Sequence, residues 1–396
     1  MSNEKEIMQQ ESAIYVIQLV AAAINNAQPP EKRDDISWKD VIDFARAQSV
    51  LNIIAYSCEK LSHKPDAETM QFLREFRKQK IVVEAEQQIE AEDAMDRLEE
   101  MKIRHMALKG FVVKNLYPSP DMRTMGDIDI LVDSVRMDDI VEAFKAEGFS
   151  FSGHGDLHSN IERGNVHFEF HRALVNKSYK NLTAYFGNGF DRALKTDGCE
   201  YRYELSREDM YIYLLAHLAK HYRYGGTGIR TVLDLYVYRR AYPDLDMEYI
   251  LRETSEIGID KFEKKVEAIA DNWFSGSFDG ELNSVSAYII SGGVYGKHDL
   301  NVVNEMINEN KDKSIAAGKV KQIIHMIFPG YGLMSEWFPI LKKFKVLLPV
   351  FWVFRWFKSV TEKNSNLKKT ISTSVEIINA DDKLISAQID AELGEL

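Results

Sequence analysis

The sequence predicts an α+β fold, in which a small mixed sheet is flanked by helical regions on both sides along the chain. Three short apolar segments near residues 103–108, 127–132 and 165–174 are typical of strands, and helix-like segments separate them. Before and after them, apolar residues recur every three or four positions, as in helices. We therefore expect an N-terminal helical region (1–100), an α/β core (101–205), a second helical domain (206–330) and a C-terminal helical segment with an acidic tail (331–396).

The N-terminal region is expected to contain several helices. The segments "AIYVIQLVAAAI" and "WKDVIDFARAQSVLNIIAYSCEKL" space their apolar residues at three and four positions. Residues 65–101 then form a charged stretch rich in Glu, Lys, Gln and Ala, with no Gly and no Pro after Pro65. This composition predicts one long, solvated helix.

The second helical domain is expected to contain two helices on either side of a "GGTG" break at residues 225–228. The first helix, "SREDMYIYLLAHLAKHY", begins with Ser206 followed three residues later by Asp209, which is close to a capping box. The second helix is "IRTVLDLYVYRRA". Both helices follow the strand region directly, so they are expected to pack near it.

The composition is that of a globular protein with an acidic surface. The 396 residues carry a net charge of -11, which disfavours a broad nucleic-acid-binding surface. Two cysteines, Cys58 and Cys199, supply neither a disulfide framework nor the spacing of a zinc site. Residues 1–12 are polar and show no secretory signal, and the apolar run 346–357 is too short to span a bilayer. We expect a cytoplasmic protein with no transmembrane segment, in which 346–357 is a docked helix.

Two carboxylates stand on one face of the second predicted strand, "DIDILV". Asp127 and Asp129 are two positions apart, so their side chains point to the same side, while Ile128 between them points to the other. Like charges this close repel, and either a shared proton or a bound cation must offset the cost. An isolated pair of this kind is more often a solvated strand end, so its meaning depends on the surrounding sequence.

The third predicted strand, "VHFEFH", carries a further carboxylate. Its even-numbered positions are apolar, and its odd-numbered positions are His167, Glu169 and His171. If this strand lies beside the second one, Glu169 joins the aspartate pair in an oxygen-rich site suited to Mg²⁺. Two such ions could clamp an in-line phosphoryl displacement. A zinc site that uses the two histidines is a less favoured alternative.

A second pair of histidines lies farther along the chain. His217 and His221 have helical i, i+4 spacing, but Leu218 stands where a zinc protease motif requires glutamate. A zinc protease is therefore not expected. One of the protein's histidines is instead expected to line the carboxylate site.

The sequence resembles known nucleotidyltransferases over residues 105 to about 240. The stretch "LKGFVVKNLYP…MRTMGDIDILVD", followed by a single acidic residue on a later strand, is similar to the family of uncharacterised nucleotidyltransferases in the polymerase-beta-like superfamily. It also resembles the toxin-type nucleotidyltransferases of abortive-infection systems. The resemblance implies a small mixed-sheet nucleotidyltransferase core, with the helical domain 206–330 completing the nucleotide site.

The resemblance assigns roles to residues of the core. It implies that Asp127, Asp129 and Glu169 are catalytic and bind metal, with Glu169 helping to deprotonate the attacking group. Lys109 and Gly110 occupy the place of the usual Gly-Gly or Gly-Ser turn, where backbone amides and the helix dipole hold triphosphate oxygens. The usual serine is absent here, and Phe111 follows the glycine. Finally, Arg123 matches an arginine of the toxin-like branch and is expected to contact nucleotide.

A second match lies in "AHLAKHYRYGGTGIRTVLDL". It resembles that branch's pattern of a lysine on one helix and a basic-plus-acidic pair on the next, at Lys220, Arg230 and Asp234. We expect the two cations to bind the phosphates and to offset charge on the departing pyrophosphate, and Asp234 to orient Arg230. Because Arg230 and Asp234 are four residues apart, an ordinary helix ion pair is the alternative.

The sequence therefore predicts a metal-dependent nucleotidyltransferase. It would move a nucleoside monophosphate from an NTP to an acceptor with Mg²⁺, or Mn²⁺ in its place, and release pyrophosphate. No motif identifies the acceptor or the oligomeric state, and the acidic chain favours a small molecule or a protein over nucleic acid as acceptor. The alternatives are a non-catalytic nucleotide-binding module and a metal-dependent glycosyltransferase; the helical character of residues 1–100 argues against the latter.

Overall fold

The computed structural model describes residues 2–154, 157–177, 179–223, 227–292 and 338–352, together with Tyr331 and Met334. This part of the chain confirms the predicted α+β class, since a mixed seven-stranded sheet is accompanied by helices before and after it. The described residues belong to two units. The larger contains 2–222 and 227–292 with the whole sheet, and the smaller contains Arg223, Tyr331, Met334 and 338–352. The predicted acidic tail lies outside the described residues.

Helices make up most of the described chain. The α-helices are α1 (Ser2–Ile24), α2 (Trp38–Ala47), α3 (Leu51–Lys60), α4 (Ala67–Glu100), α5 (Lys109–Val113), α6 (Met137–Ala146), α7 (Lys180–Phe186), α8 (Arg207–Arg223), α9 (Ile229–Ala241), α10 (Met247–Glu256), α11 (Asp260–Phe274) and α12 (Ser284–Gly292). The strands are β1 (His105–Ala107), β2 (Ile128–Val132), β3 (Ser150–His154), β4 (His158–Arg163), β5 (Val166–His171), β6 (Ala193–Lys195) and β7 (Arg202–Leu205).

The sheet has the strand order β3-β4-β5-β2-β1-β7-β6. Strand β2 is central, antiparallel to β1 and parallel to β5. The parallel register places Asp129 opposite Glu169 and Ile128 opposite Phe168. Adjacent strands are about 4.8 Å apart, so this register brings the two acidic residues side by side. The three predicted strands thus exist, and two of them are neighbours in the way that the site requires.

One face of the sheet forms the core of the α/β region. The apolar residues of β2 and β5, including Ile130, Phe168 and Phe170, pack with α6 and the C-terminal half of α4. The ring of Phe144 on α6 meets the rings of Phe168 and Phe170 edge-on, at centroid distances of 5.7 and 5.1 Å. Removing a buried aromatic side chain from such a core costs about 3–5 kcal/mol. The strands are therefore held by this face, and the opposite face is free for polar groups.

Two predictions about helices are refined by the structure. The long helix is confirmed as α4, capped by the side chain of Asp66, which accepts a hydrogen bond from the Thr69 amide. It is not solvated all round, because a stripe from Met70 to Leu98 is buried. Helix α8 also begins as predicted, since the Ser206 hydroxyl accepts from the Asp209 amide at 3.0 Å.

Four strands were not predicted, and one predicted helix is short. Strands β3, β4, β6 and β7 contain few apolar residues, so alternation does not reveal them; β3 and β4 instead extend the sheet as a hairpin beside β5. One of the helix-like segments expected between the strands, residues 111–117, is largely the end of the five-residue α5 and the 3₁₀ turn that follows it.

The apolar run 346–357 is described only as far as residue 352. There Val346 and Val350 are 83% and 60% exposed, so this part of the run is not the docked, buried helix that we expected. None of the helices in the described part of the chain is both long enough and apolar enough to cross a membrane.

Candidate active site

Three carboxylates meet where β2 and β5 run side by side. Asp129 and Glu169 are partners in the parallel register, and Asp127 lies one residue before β2 at an exposed position. Partial burial, and then the negative charges of Glu169 and Asp129, raise the pKa of Asp127. The structure therefore brings the three predicted acids close enough to repel one another. Their roles in catalysis and metal binding stay predictions.

Asp129 has a partner that the sequence analysis did not foresee. We expected a shared proton or a metal to offset its charge, but the Lys109 ammonium lies 2.6 Å from its Oδ1 atom and His171 Nε2 lies 2.8 Å from the same atom. Burial alone would raise the pKa of Asp129, yet these two groups outweigh it and hold the pKa well below its ordinary value. Asp129 is thus already charge-balanced within the protein.

Two histidines flank Glu169. His171 Nε2 lies 3.3 Å from its Oε2 atom and His158 Nε2 lies 3.5 Å from its Oε1 atom. A hydrogen bond from His171 is the main reason why the pKa of Glu169 is lowered. His158, Glu169 and His171 together could hold a metal ion. His167, the other histidine of β5, contacts Glu162 instead, with His167 Nδ1 3.1 Å from Glu162 Oε2.

His158 is a site residue that sequence reasoning missed. It lies on β4, directly across the antiparallel ladder from His171. The signal that could have found it is the hairpin geometry: a strand that begins at His158 and pairs with the "VHFEFH" strand places His158 opposite His171. Because β4 itself was not predicted, the pairing of His158 with His171 could not be inferred from the sequence.

The Lys109-Gly110 turn adopts a glycine-like conformation at an unexpected residue. Lys109 has φ of 47°, in the left-handed region that non-glycine residues seldom adopt. A Cβ atom on Gly110 would lie 3.1 Å from Met125 Sδ and 3.3 Å from Arg123 Nη2. A larger residue at position 110 would therefore require the Met125 and Arg123 side chains to shift, because the loop before Asp127 packs against the turn. A phosphate contact by Lys109 and Gly110 stays a prediction, and the brevity of α5 limits any helix-dipole contribution.

Helix α8 turns one face toward the carboxylates. Tyr213, His217, Lys220 and His221 lie on this face, at the spacings of neighbouring helical turns. Burial and then the charge of Lys109 lower the pKa of Lys220 to about 8, whereas Asp129 and Glu169 act in the opposite direction. The pKa of His217 falls well below its ordinary value for the same two reasons. Lys220 is thus within electrostatic reach of Asp129 and Glu169.

Arg123 and Asp234 form a buried ion pair. Arg123 Nε donates to both carboxylate oxygens of Asp234, at 2.7 and 3.0 Å, and the Tyr117 hydroxyl donates to the same carboxylate at 2.7 Å. The sequence did not indicate these two partners of Asp234, Arg123 and Tyr117, and the expected orientation of Arg230 by Asp234 stays a prediction. This ion pair connects the loop before Asp127 to α9 and so stabilises the position of that loop. A nucleotide contact by Arg123 or Asp234 stays a prediction.

Arg230 reaches the same loop from α9. Its Nη1 atom donates to the Thr124 carbonyl at 3.3 Å, three residues before Asp127. Arg230 thus lies beside the loop that leads into Asp127, and a phosphate contact by Lys220 or Arg230 stays a prediction.

A mixed sheet with an aspartate pair on one strand and a third acid on the parallel neighbour is the arrangement expected of a nucleotidyltransferase. Comparison with protein families agrees, since residues 34–275 match the family described as uncharacterised nucleotidyltransferase. The chain belongs to this family, and membership supports a general function in nucleotidyl transfer. Searches among curated proteins and among solved structures found no match.

Proposed function

We propose that the protein transfers a nucleoside monophosphate from an NTP to an acceptor hydroxyl and releases pyrophosphate, with the help of a divalent cation. The observation that carries the proposal is the parallel register of β2 and β5, which sets Asp129 beside Glu169 with Asp127 at the strand entrance. An acidic chain with a net charge of -11 favours a small molecule or a protein hydroxyl as acceptor over long nucleic acid.

The residues at this point fit a divalent cation. Asp127, Asp129 and Glu169 offer carboxylate oxygens, the ligands that Mg²⁺ prefers. The raised pKa of Asp127 reflects repulsion from Glu169 and Asp129 in addition to burial, and a cation would relieve that repulsion. The nearby His158 and His171 nitrogens make Mn²⁺ an acceptable substitute. When bound, the cation would polarise the phosphoryl group and offset its negative charge.

The chain's own side chains supply the remaining steps. The acceptor oxygen attacks the α-phosphorus, the bond from that phosphorus to the bridging oxygen breaks, and pyrophosphate leaves. Glu169, which is ionised at neutral pH, takes the proton of the acceptor hydroxyl. Lys220 and Arg230 offset the charge that develops on the pyrophosphate, a contribution that is typically worth about 10²–10³ in rate for one well-placed donor.

Lys109 has a role that differs from a static phosphate contact. Its ammonium is held by Asp129 at 2.6 Å, so a cation bound at Asp129 competes with it. We infer that Lys109 exchanges the carboxylate for a phosphate oxygen when nucleotide and metal enter together. In the free protein it keeps the buried carboxylate charge-balanced.

A non-catalytic nucleotide-binding module is the second candidate. Two observations favour it: the Lys109 ammonium already neutralises Asp129, and Met125 and Arg123 pack against Gly110 where phosphate would lie in active relatives. Such a module would bind NTP without turnover. Measuring nucleotide binding and turnover on the same preparation separates the two functions.

The test is incubation of the protein with each α-labelled NTP, Mg²⁺ or Mn²⁺, and cell extract, followed by identification of whatever becomes labelled. The Asp127→Asn/Asp129→Asn double variant and Glu169→Gln serve as controls. A labelled product that forms with wild type and not with either control supports the transferase. Metal-dependent NTP binding without any labelled product supports the module.

A further inference from the structure

A cleft of about 210 Å³ lies beside the loop that leads into Asp127. Residues 124–126 form one wall, and three basic side chains from three helices line the cleft: Arg46 of α2, Lys80 of α4 and Arg230 of α9. No acidic side chain lines it among the described residues, although the chain as a whole is acidic. Like charges gathered around a small volume repel one another, and an anion bound between them removes that cost.

Two of the three cations that line the cleft, Arg46 and Lys80, have only weak partners within the protein. Arg46 Nη1 lies 3.4 Å from Asp43 in an exposed pair on the same helix, which contributes little in water. Lys80 Nζ lies 5.3 Å from the ring centroid of Phe76, a neutral neighbour. Both side chains can therefore turn toward an anion without giving up a strong partner.

The cleft also contains a fixed polar atom. Asn52 is 2% exposed and lines the cleft. Its Nδ2 atom donates to the carbonyl and to the Oδ2 carboxylate oxygen of Asp121, at 2.6 and 2.7 Å, which fixes the orientation of the amide. Its Oδ1 atom is buried and has no hydrogen-bond partner among the described residues. Buried hydrogen-bond acceptors in proteins nearly always have a donor. A ligand hydroxyl next to a phosphate would supply a donor to Asn52 Oδ1.

Electrostatics connect the cleft with the carboxylate cluster. His221 on α8 has its pKa lowered to about 3 by burial and then by the charges of Lys220, Lys109 and Arg230. Lys220, Lys109 and Arg230 are thus all close enough to His221 to lower its pKa, so Arg230 of the cleft lies near the cations of the carboxylate site.

We propose that the cleft lined by Arg46, Lys80 and Arg230 binds a phosphate group of a substrate whose reacting end lies at the carboxylate cluster. The proposal rests on the proposed function in naming the ligand a substrate. Guanidinium and ammonium groups together suit a phosphate, the first as a fork and the second as a point charge. The phosphate belongs either to the NTP or to a phosphorylated acceptor.

The test compares two double variants with the same loss of charge. Arg46→Gln/Lys80→Gln alters the cleft, and Lys78→Gln/Arg136→Gln removes one arginine and one lysine that do not line it. Binding of inorganic phosphate and of tripolyphosphate is measured by calorimetry in EDTA, and melting temperatures establish that both variants fold. We expect at least a tenfold loss of anion affinity in the cleft variant and less than a threefold loss in the control. Equal losses in both variants, or no anion binding by wild type at millimolar concentration, would overturn the proposal.

A second arm identifies the source of the phosphate. NTP affinity in the presence of Mg²⁺ is measured for the same two variants. A tenfold loss in the cleft variant assigns the phosphate to the NTP, whereas unchanged NTP affinity together with lost inorganic-anion binding assigns it to the acceptor. Asp127→Asn separates this proposal from the proposed function, because it should abolish metal-dependent transfer and leave anion binding in EDTA intact.

Discussion

Replacing Lys220 by methionine should stabilise the free protein and weaken its function at the same time. Burial and the neighbouring charge of Lys109 lower the pKa of Lys220 from its ordinary value of 10.5 to about 8. Because one pKa unit corresponds to about 1.4 kcal/mol, holding this ammonium charged in the folded state costs about 3 kcal/mol. Methionine keeps the apolar stem and removes the charge. We expect Lys220→Met to raise the free energy of unfolding at pH 7 by about 1–3 kcal/mol.

The effect of Lys220 on stability should depend on pH. The folded pKa of Lys220 is lower than the unfolded value, so the unfolded chain binds more protons between pH 8 and 10.5, and wild-type stability gains from this residue as pH rises through that window. The advantage of Lys220→Met should therefore be greatest below pH 8 and shrink toward pH 10.5. Urea denaturation of wild type and variant at pH 7, 9 and 10 measures it. A destabilised variant, or a difference that does not change with pH, would refute the reasoning.

The same substitution should lower the activity of the protein. If Lys220 offsets charge on the departing pyrophosphate, Lys220→Met should reduce turnover roughly 10²-fold, by analogy with the removal of one oxyanion donor. Lys220→Arg is the matched control, because it keeps a positive charge and should retain part of the activity without the gain in stability. Wild-type turnover in Lys220→Met would show that this lysine has no role at the phosphates.

Other substitutions test the remaining contacts. Asp127→Asn should leave the free protein as stable or slightly more stable in thermal melts, because it removes repulsion from Glu169 and Asp129. Asp129→Asn should destabilise the protein by a few kcal/mol, roughly the cost of breaking a buried pair. The pKa of Asp129 is lower in the folded than in the unfolded protein, so the stabilisation by its ionised carboxylate is present at neutral pH. That stabilisation should be lost as the pH falls below the unfolded pKa of about 4. Arg123→Ala should cost about 3–5 kcal/mol in urea denaturation, because Asp234 stays buried without its partner. Arg230→Ala should lower turnover roughly 10²-fold; unchanged turnover would contradict the role of Arg230 at the phosphates.

The parts of the fold that the sequence reveals are those with strong periodicity. The β2 and β5 strands alternate apolar and polar residues, and α4 and α8 carry long helical patterns, so their existence and their buried faces could be inferred. Strands β3, β4, β6 and β7 are short and rich in polar residues; they are strands because the sheet offers them a hydrogen-bonding edge. Such tertiary effects leave little trace in local sequence.

In the candidate site, too, the sequence predicts some features and not others. Grouping Asp127, Asp129 and Glu169 required only strand alternation and the resemblance to nucleotidyltransferases. The partners of these acids could not be foreseen, because they depend on register and on side-chain reach: Lys109 folds back onto Asp129, and His158 arrives across a hairpin from His171. Asp234 was assigned to Arg230 by helical spacing, whereas the buried contact with Arg123 comes from a loop 111 residues away.

The central claim is that the carboxylates of β2 and β5 bind NTP through a divalent cation. Its most direct test is calorimetric titration of a non-hydrolysable NTP into wild type and into the folded Asp127→Asn/Asp129→Asn double variant, each with Mg²⁺ and with EDTA. The account predicts binding by wild type that requires Mg²⁺ and is lost in the double variant. Metal-dependent affinity that survives the double substitution would contradict it.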